Sequence, residues 1–279
     1  MADILLASEL LVRLSAFAGI FAAMAAWEIL APRRHQQLTR GIRWPGNISI
    51  VVLDAILVRL VFPTTAVGLA LIGETRGWGL IHALDLPMWA GILLAVMALD
   101  LAVYLQHVLF HAVPALWRLH RMHHADLEFD VTTGIRFHPV EILLSMGIKL
   151  GVVVALGAPA VAVLLFEVLL NATSMFNHSN VRMPMALDRI VRWIVVTPDM
   201  HRVHHSIVAR ETNSNFGFNL PWWDRLFGTY RDQPADGHET MTIGIEQFRD
   251  QGEQRIDRML TQPFRDDTTY ALGRRKPAQ

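Results

Sequence analysis

LWRLHRMHH, at residues 116–124, places three histidines within five positions, and DMHRVHH at residues 199–205 repeats the same order of His-Arg-apolar-His-His. On a helix, positions i+3 and i+4 stand beside position i, so each motif presents its imidazoles together. Imidazole nitrogen binds zinc, copper, nickel and iron, and the repeated pattern therefore predicts a metal centre. The chain contains no cysteine, which excludes thiolate ligands and disulfides.

Another histidine pair lies at the end of an apolar segment, residues 86–110. His107 and His111 are about one helical turn apart, so both rings project from one face of the predicted helix. Asp100 and Tyr104 lie on the same face, one to two turns earlier in the chain. The spacing predicts a metal site at the end of a membrane-spanning helix, with Asp100 as a candidate partner of the ligands.

Ten of the thirteen histidines lie between residues 107 and 205. This number exceeds the four ligands of a zinc ion, so two metal ions are the simplest interpretation. Imidazole chemistry alone does not choose among zinc, copper, nickel and iron. His138 and His178 stand alone in the sequence but flank an apolar hairpin on the side of the clusters, and we expect both to be ligands. Three isolated histidines are interpreted as ordinary polar residues: His35, His82 and His238.

The composition is that of a membrane protein. Hydrophobic residues make up 52% of the chain and charged residues 18%, where soluble domains average about 25% charged, and the mean hydropathy is +0.31. Five apolar segments approach the ~20 residues that a helix needs to cross a bilayer. They cover residues 4–30, 48–72, 86–110, 142–156 and 159–176, and the last two form a hairpin. The formal net charge of zero gives no indication of nucleic-acid binding.

Arginines predict the orientation of these segments. Four of them, Arg33, Arg34, Arg40 and Arg43, follow the first segment, so this loop is expected in the cytoplasm and the N-terminus, interpreted as a retained anchor, outside. Each later span moves the chain to the other side of the membrane. Counting the spans from this loop places every histidine cluster on the cytoplasmic side. The predicted fold is an all-α membrane bundle of about 4–5 transmembrane helices with a cytoplasmic, histidine-rich helical cap. Its expected divisions are anchor helices at 1–85, a catalytic domain at 86–231 and a loosely packed polar tail at 232–279.

Five charged residues fall within the last four predicted spans: Asp54, Arg59, Asp100, Lys149 and Glu167. Each costs about 2.5–3.5 kcal/mol at the centre of a membrane helix, so we expect all five to face the interior of the bundle. Structural ion pairs and functional roles both remain open for them.

The order of the motifs resembles the fatty acid hydroxylase/sterol desaturase superfamily over roughly residues 100–230. The matching motifs are Asp-x3-Tyr-x2-His-x3-His from Asp100, LWRLHRMHH at 116–124, RFHPVE at 136–141, NHSN at 177–180, TPDMHRVHH at 197–205, NFG at 215–217 and WDRLFGTY at 223–230. The resemblance implies a non-haem centre of two iron ions on the cytosolic face, with O2 as co-substrate and a lipid that enters from the membrane.

The resemblance also implies the ligand set, which is His107, His111, His120, His123, His124, His138, His178, His201, His204 and His205. Zinc is expected to substitute for iron on overexpression, because imidazole accepts both. Five polar residues are candidates for hydrogen bonds that orient the ligands: Asp100, Glu141, Asn180, Asp199 and Asp224.

Superfamily members hydroxylate fatty acyl, sterol or isoprenoid lipids, and others desaturate sterols; the shared motifs do not separate hydroxylation from desaturation. Some members carry a cytochrome b5-like domain, whose His-Pro-Gly-Gly signature is absent from this sequence. We therefore expect electrons to come from a separate protein of the ferredoxin or cytochrome type.

Other classes of metal protein fit the histidine pattern less well. A bis-histidine haem protein needs single histidines inside facing spans, whereas these occur as doublets outside the spans. A zinc transporter places its ligands near the membrane midplane. The sequence contains neither Glu-x-x-His nor His-Glu-x-x-His, which excludes the ferritin-like carboxylate site and the zincin site.

Overall fold

Helices form the regular structure of residues 2–265, the part of the chain that the computed structural model describes, and no strand occurs among these residues. In chain order the helices are α1 (Ala2–Ala7), α2 (Glu9–Leu30), α3 (Arg40–Val61), α4 (Ala66–Arg76), α5 (Gly79–Ala83), α6 (Met88–Ala112), α7 (Pro114–His124), α8 (Pro139–Leu156), α9 (Ala160–Asn177), α10 (Met185–Val191), α11 (Pro198–His204), α12 (Ala209–Thr212), α13 (Trp222–Leu226), α14 (Gly237–Thr240) and α15 (Ile256–Met259). Five helical segments are long and apolar enough to cross a membrane, which confirms the predicted class of fold.

The second span differs from its predicted extent of 48–72. Helix α3 begins at Arg40, because polar residues near its start are buried in contacts with the cap: Asn47 donates hydrogen bonds to Asp126 and Thr132. Helix α3 ends at Val61, before Pro63, and Thr65 caps the new helix α4 by accepting from the Gly68 N–H. The span is thus a bent series of helices, α3 to α5.

Small and aliphatic residues form the core of the membrane bundle. Ala66, Ala70, Ala95 and Ala160 are buried where α4, α6 and α9 meet, and short side chains let the helices approach closely. The predicted hairpin joins α8 to α9 at Gly157, which has a φ of +63°. A Cβ atom there would lie 1.8 Å from the Trp78 carbonyl oxygen, so this turn requires glycine.

The charged residues of the spans do not all face the interior. Asp54, Asp100 and Glu167 are buried, and Glu167 pairs with Lys149 at 2.8 Å. Arg59 is exposed in the last turn of α3, so the prediction is wrong for this residue. The long side chain of an arginine near a helix end can carry its charge to the membrane surface, which removes the need for burial.

The arginine-rich first loop and the histidine-bearing cap lie at the same end of the molecule. Arg33 pairs with Asp199 of α11 at 3.2 Å, and the Arg33 N–H donates to the Asn180 carbonyl. Arg43 is fully buried and forms ion pairs with Asp126 and Asp130, both at 2.6 Å. These contacts tie α3 to the loop after α7, while the cytoplasmic orientation of this end stays a prediction.

Residues 232–265 pack against the cap, so the expectation of a loosely packed tail is wrong for this part. Gln254 is buried and accepts a hydrogen bond from Arg136, and Met259 packs with Ile50 and Met122. The apolar positions are too widely spaced to signal a long helix, which is why composition alone suggested loose packing. The basic end of the tail, residues 274–276, lies outside the described residues.

Candidate metal centre

Nine of the ten predicted ligands meet in two buried groups beneath the cap. In each group, one potential ligand atom per residue lies within 4.8 Å of all the others. The first group consists of His107, His111, His120, His124 and His204. The second group consists of His123, His178, His201 and His205. The structure therefore brings together residues from α6, α7, α11 and the end of α9.

The two histidine doublets are divided between the groups. His123 and His124 are neighbours on α7, but His124 belongs to the first group and His123 to the second. His204 and His205 divide in the same way. Successive residues on a helix point about 100° apart, so one doublet can serve two adjacent ions. The rings of His124 and His205 are stacked at 4.6 Å, where the two groups adjoin.

The ring nitrogens show that this arrangement suits metal ions. Both nitrogens of His124 and His205, and Nε2 of His111 and His204, are buried without a hydrogen-bond partner. The Nε2 atoms of His107 and His120 face each other at 3.1 Å. Buried polar atoms without partners are costly, and a cation bound between the rings would satisfy them.

Hydrogen bonds orient the rings toward the centre of each group. In the first group, Nδ1–H of His107 donates to the Phe216 carbonyl at 2.7 Å, and His204 donates to the Ser214 carbonyl at 2.7 Å. The remaining nitrogen, Nε2, then lacks a proton and points at the other histidines. Metal-binding histidines are commonly fixed by such bonds from the opposite ring nitrogen.

The second group follows the same rule. His123 donates from Nδ1 to the Arg136 carbonyl at 3.1 Å, and His178 donates to the Ser174 carbonyl at 2.8 Å. Sequence reasoning missed all four carbonyl partners, because every residue carries a carbonyl and no residue type marks those that will be used.

Two side chains act in the same manner. Glu141, one of the predicted partners, accepts from His120 Nδ1 at 2.7 Å. Asn213, which the sequence reasoning missed, lies 3.3 Å through its Oδ1 from His111 Nδ1. The signal available in the sequence was its position just before the NFG motif at 215–217.

The other predicted partners form no hydrogen bond with a ligand ring among the described residues, and they contact other parts of the cap instead. Asp224 accepts from the N–H groups of Phe216 and Gly217, both at 2.8 Å, and so holds the loop whose carbonyl orients His107. Asp100 accepts from Asn219 at 2.7 Å and from Trp223 at 2.8 Å, which ties α6 to this loop.

Asp199 and Asn180 instead connect the cap to the first loop. Asp199 pairs with Arg33 and with Arg202, and Asn180 exchanges hydrogen bonds with the backbone of Arg34. Both residues therefore hold the cap against the first loop. Neither forms a hydrogen bond with a ring of the two histidine groups among the described residues.

His138 is the predicted ligand that the structure does not bring to either group. It caps the start of α8, where its Nδ1 accepts from the Val140 N–H, and its Nε2 lies 3.3 Å from the Leu260 carbonyl. Both ring nitrogens thus have partners outside the site. The neighbouring Phe137 occupies the inward position and stacks on His123 at 4.4 Å. The capping geometry before Pro139 turns the two side chains in opposite directions.

The buried histidines of the cap are held in the neutral form that binds metals. Burial lowers the pKa of His124 and His205 well below the ordinary value, and the neighbouring histidines lower it further. Burial also lowers the pKa of His178 to about 3. The site is therefore ready to bind cations without first releasing protons at neutral pH.

A cavity of about 330 Å³ leads from the first group into the membrane bundle. His107 and His120 line one end, and the opposite end reaches Lys149 and Glu167. Most of the wall between them is apolar and comes from α3, α6, α8 and α9. The cavity provides an apolar approach to the histidines from within the membrane bundle.

Comparisons with known proteins agree with this geometry. Residues 92–229 match the fatty acid hydroxylase family. An ornithine lipid hydroxylase of Rhizobium tropici is 33% identical over 57% of this chain and 46% of its own length. An alkylglycerol monooxygenase of Xenopus tropicalis is 28% identical over 49% of this chain and 30% of its own length. A cholesterol 25-hydroxylase of Rattus norvegicus is 30% identical over 58% of this chain and 53% of its own length.

No solved structure matches the chain at a significant level. The matched regions span about a third to a half of the length of these relatives. The family match over residues 92–229 includes both His-Arg-apolar-His-His motifs and all nine histidines of the two groups. The family match confirms the predicted resemblance, as do the three relatives, which are all named as hydroxylases or monooxygenases. The chain belongs to the fatty acid hydroxylase/sterol desaturase superfamily.

Proposed function

We propose that the protein is a membrane-bound monooxygenase that hydroxylates an unactivated C–H bond of a fatty acyl, sterol or isoprenoid lipid. It would use O2 and electrons from another protein at a centre of two iron ions. The observation that carries the proposal is the apolar cavity that ends at His107 and His120. An aliphatic chain in this cavity would lie directly against the first histidine group.

The nine histidines would hold the ions, five around one and four around the other. Imidazole binds iron and zinc alike, so the choice of iron rests on the relatives, whose names describe hydroxylases and monooxygenases. Iron, when bound, supplies the redox chemistry that activates oxygen, which zinc lacks. Zinc remains the expected substitute when the protein is overproduced.

The protein itself would position the substrate and exclude water. Phe110, Phe137 and Phe218 line the cavity near the histidines and restrict the space in which a chain can move. The Glu141 carboxylate and the Phe216 carbonyl hold His120 and His107 in fixed orientations at this wall. Fixed positions of the ligands and of the chain favour attack on one carbon over its neighbours.

Electrons are proposed to come from a ferredoxin- or cytochrome-type protein at the cytoplasmic face. Arg33 and Arg34, in the loop beside the cap, support this orientation, since cytoplasmic loops carry an excess of basic residues. A donor that docks on the cap would approach the histidines from the side opposite to the lipid.

Growth of cells under ¹⁸O2 tests the reaction. We expect a lipid that carries one labelled hydroxyl oxygen and that depends on the protein. His120→Ala should abolish this product, and His138→Ala, which removes a histidine outside the groups, should retain it. A new oxygen derived from water would contradict the proposal, and an unlabelled double bond would establish desaturation in place of hydroxylation.

A further inference from the structure

The cavity wall contains a carboxylate that the proposed reaction does not use. Asp54 lies in the middle of α3, within a candidate membrane span, and only 5% of the residue is exposed. It lines the same cavity as His107 and His120. An ionisable residue at such a position is costly, and its presence indicates a specific partner.

No partner for Asp54 occurs among residues 2–265. Its Oδ1 is buried without a hydrogen bond, and neither carboxylate oxygen forms a hydrogen bond or an ion pair with any of these residues. The other buried acids of the spans differ in this respect. Asp100 accepts from Asn219 and Trp223, and Glu167 pairs with Lys149. Asp54 is therefore a buried acidic residue that has no hydrogen-bond or ion-pair partner among the described residues.

The cations of the cavity are already engaged with other acids. Lys149 pairs with Glu167 at 2.8 Å, and Arg13 pairs with Glu167 at 3.3 Å and with Glu9 at 3.1 Å. These groups form their own neutral cluster at the end of the cavity away from the histidines. Among residues 2–265, none of these cations forms an ion pair with Asp54.

A second unsatisfied acceptor faces the same cavity. Glu141 accepts from His120 through Oε1, while its Oε2 is buried without a hydrogen bond. Asp54 and Glu141 together make the histidine end of the cavity rich in acceptors. A ligand that offers a hydrogen-bond donor would satisfy these oxygens, and a ligand without a donor would leave them unsatisfied.

We propose that Asp54 binds a donor group, an ammonium or a hydroxyl, on the lipid substrate, and so selects lipids that carry this group near the carbon that is oxidised. The inference rests on the proposed function for the identity of the reaction, but the binding preference itself is independent of turnover. Asp54 acts here as a specificity-determining residue, because it contacts the lipid and not the metal ligands.

Competition between matched lipids tests the preference. The purified full-length protein, loaded with metal, would be incubated with equal amounts of octadecylamine, octadecanol, octadecanoic acid and octadecane, and bound lipid would be counted by native mass spectrometry. These probes share one hydrocarbon chain and differ only at the end. We expect octadecylamine or octadecanol to exceed both octadecanoic acid and octadecane by about tenfold, the effect of one buried hydrogen bond.

Single variants test whether Asp54 causes the preference for donor-bearing lipids. Asp54→Asn should reduce the preference by about tenfold, and Asp54→Glu, which keeps the carboxylate, should retain most of it. Asp85→Asn makes the same change at an exposed acid and should have no effect. An amine preference over the alcohol would identify an ammonium-bearing lipid, a preference for the alcohol would identify a hydroxyl-bearing lipid, and equal binding would show that Asp54 accepts either donor.

If neither octadecylamine nor octadecanol bound the wild type better than octadecanoic acid and octadecane, the proposal would be overturned, even if the variants fail to fold. An unchanged preference in a folded Asp54→Asn protein would overturn it as well. A separate result would contradict the proposed function. If the protein bound donor-bearing lipids selectively but gave no ¹⁸O-labelled product, lipid hydroxylation would be contradicted and the role of Asp54 in binding would stand.

Discussion

His124 and His138 show how the surroundings of a residue decide its role. Both are buried histidines close to the site, and both belong to motifs of the superfamily. His124 has two buried ring nitrogens without partners, whereas both nitrogens of His138 have partners in the protein. A ring can bind a metal only through a nitrogen that is free to face it, so His124 fits a ligand and His138 does not.

This contrast predicts the metal content of single variants. Elemental analysis of the wild type should approach two metal ions per chain, since two groups of ligands are present. His124→Ala should lower this content, because it removes a ring from the first group. His138→Ala should leave it unchanged. A wild-type content of one or less in metal-replete cells would contradict the two-ion centre.

The buried histidines also predict a response to acid in the metal-free protein. Burial lowers the pKa of His201, His204 and His205 well below the ordinary 6.5, whereas the unfolded chain regains that value. Below pH ~6.5 the unfolded state therefore binds more protons, and each such histidine costs up to about 1.4 kcal/mol of stability per pH unit. Thermal unfolding should occur at lower temperature as the pH falls from about 7.5 to about 5.5.

The exposed His82 provides the control for this measurement. His82→Ala should retain the wild-type dependence on pH, because His82 is exposed and lies outside both histidine groups. An unfolding temperature that stays constant over the same pH range would show that the histidines are not buried as described.

Among the secondary-structure elements, the short 3-10 helix Thr133–Ile135 positions α9 against the site. Ser174 of α9 donates through Oγ to the Gly134 carbonyl at 2.7 Å, and His178 lies one turn further along. A Cβ atom on Gly134 would lie 2.5 Å from the Ser174 carbonyl oxygen and 3.2 Å from His178 Nδ1. The close approach of the turn to the helix thus depends on glycine at this position.

Gly134→Ala should push α9 away and weaken the second histidine group. We expect a loss of about 1–3 kcal/mol of stability, the range for overpacking, and a lower metal content by elemental analysis. Gly147→Ala, the same change in α8, has no atom within 4 Å of the new Cβ and should be neutral or slightly stabilising. Equal behaviour of the two variants would show that the turn and α9 are not closely packed.

For the whole molecule, the remaining prediction is the orientation in the membrane. The chain has no native cysteine, so single introduced cysteines can be labelled without background. Thr75 and Asp236 are both exposed and lie at the ends of the molecule expected on opposite sides. Thr75→Cys should react with an impermeant reagent in intact cells, and Asp236→Cys only after lysis. Labelling of both from the same side would contradict the orientation derived from the arginines.

Sequence spacing determined the features that follow from local helix geometry. The periodic histidines of α6, α7 and α11 predicted which faces carry ligands, because a helix repeats every 3.6 residues wherever it lies in the fold. The lengths of the apolar segments likewise predicted five spans, since the thickness of a bilayer sets the length of a crossing helix.

The tertiary structure alone decided which groups meet. It divided His123 from His124, turned His138 toward Leu260, and brought the Phe216 carbonyl to His107 across more than a hundred residues. It also left Asp54 in the cavity without a hydrogen bond or ion pair to any residue of the described range 2–265. Contacts of this kind depend on how distant helices pack, and backbone carbonyls are the same in every residue, so no local pattern in the chain records them.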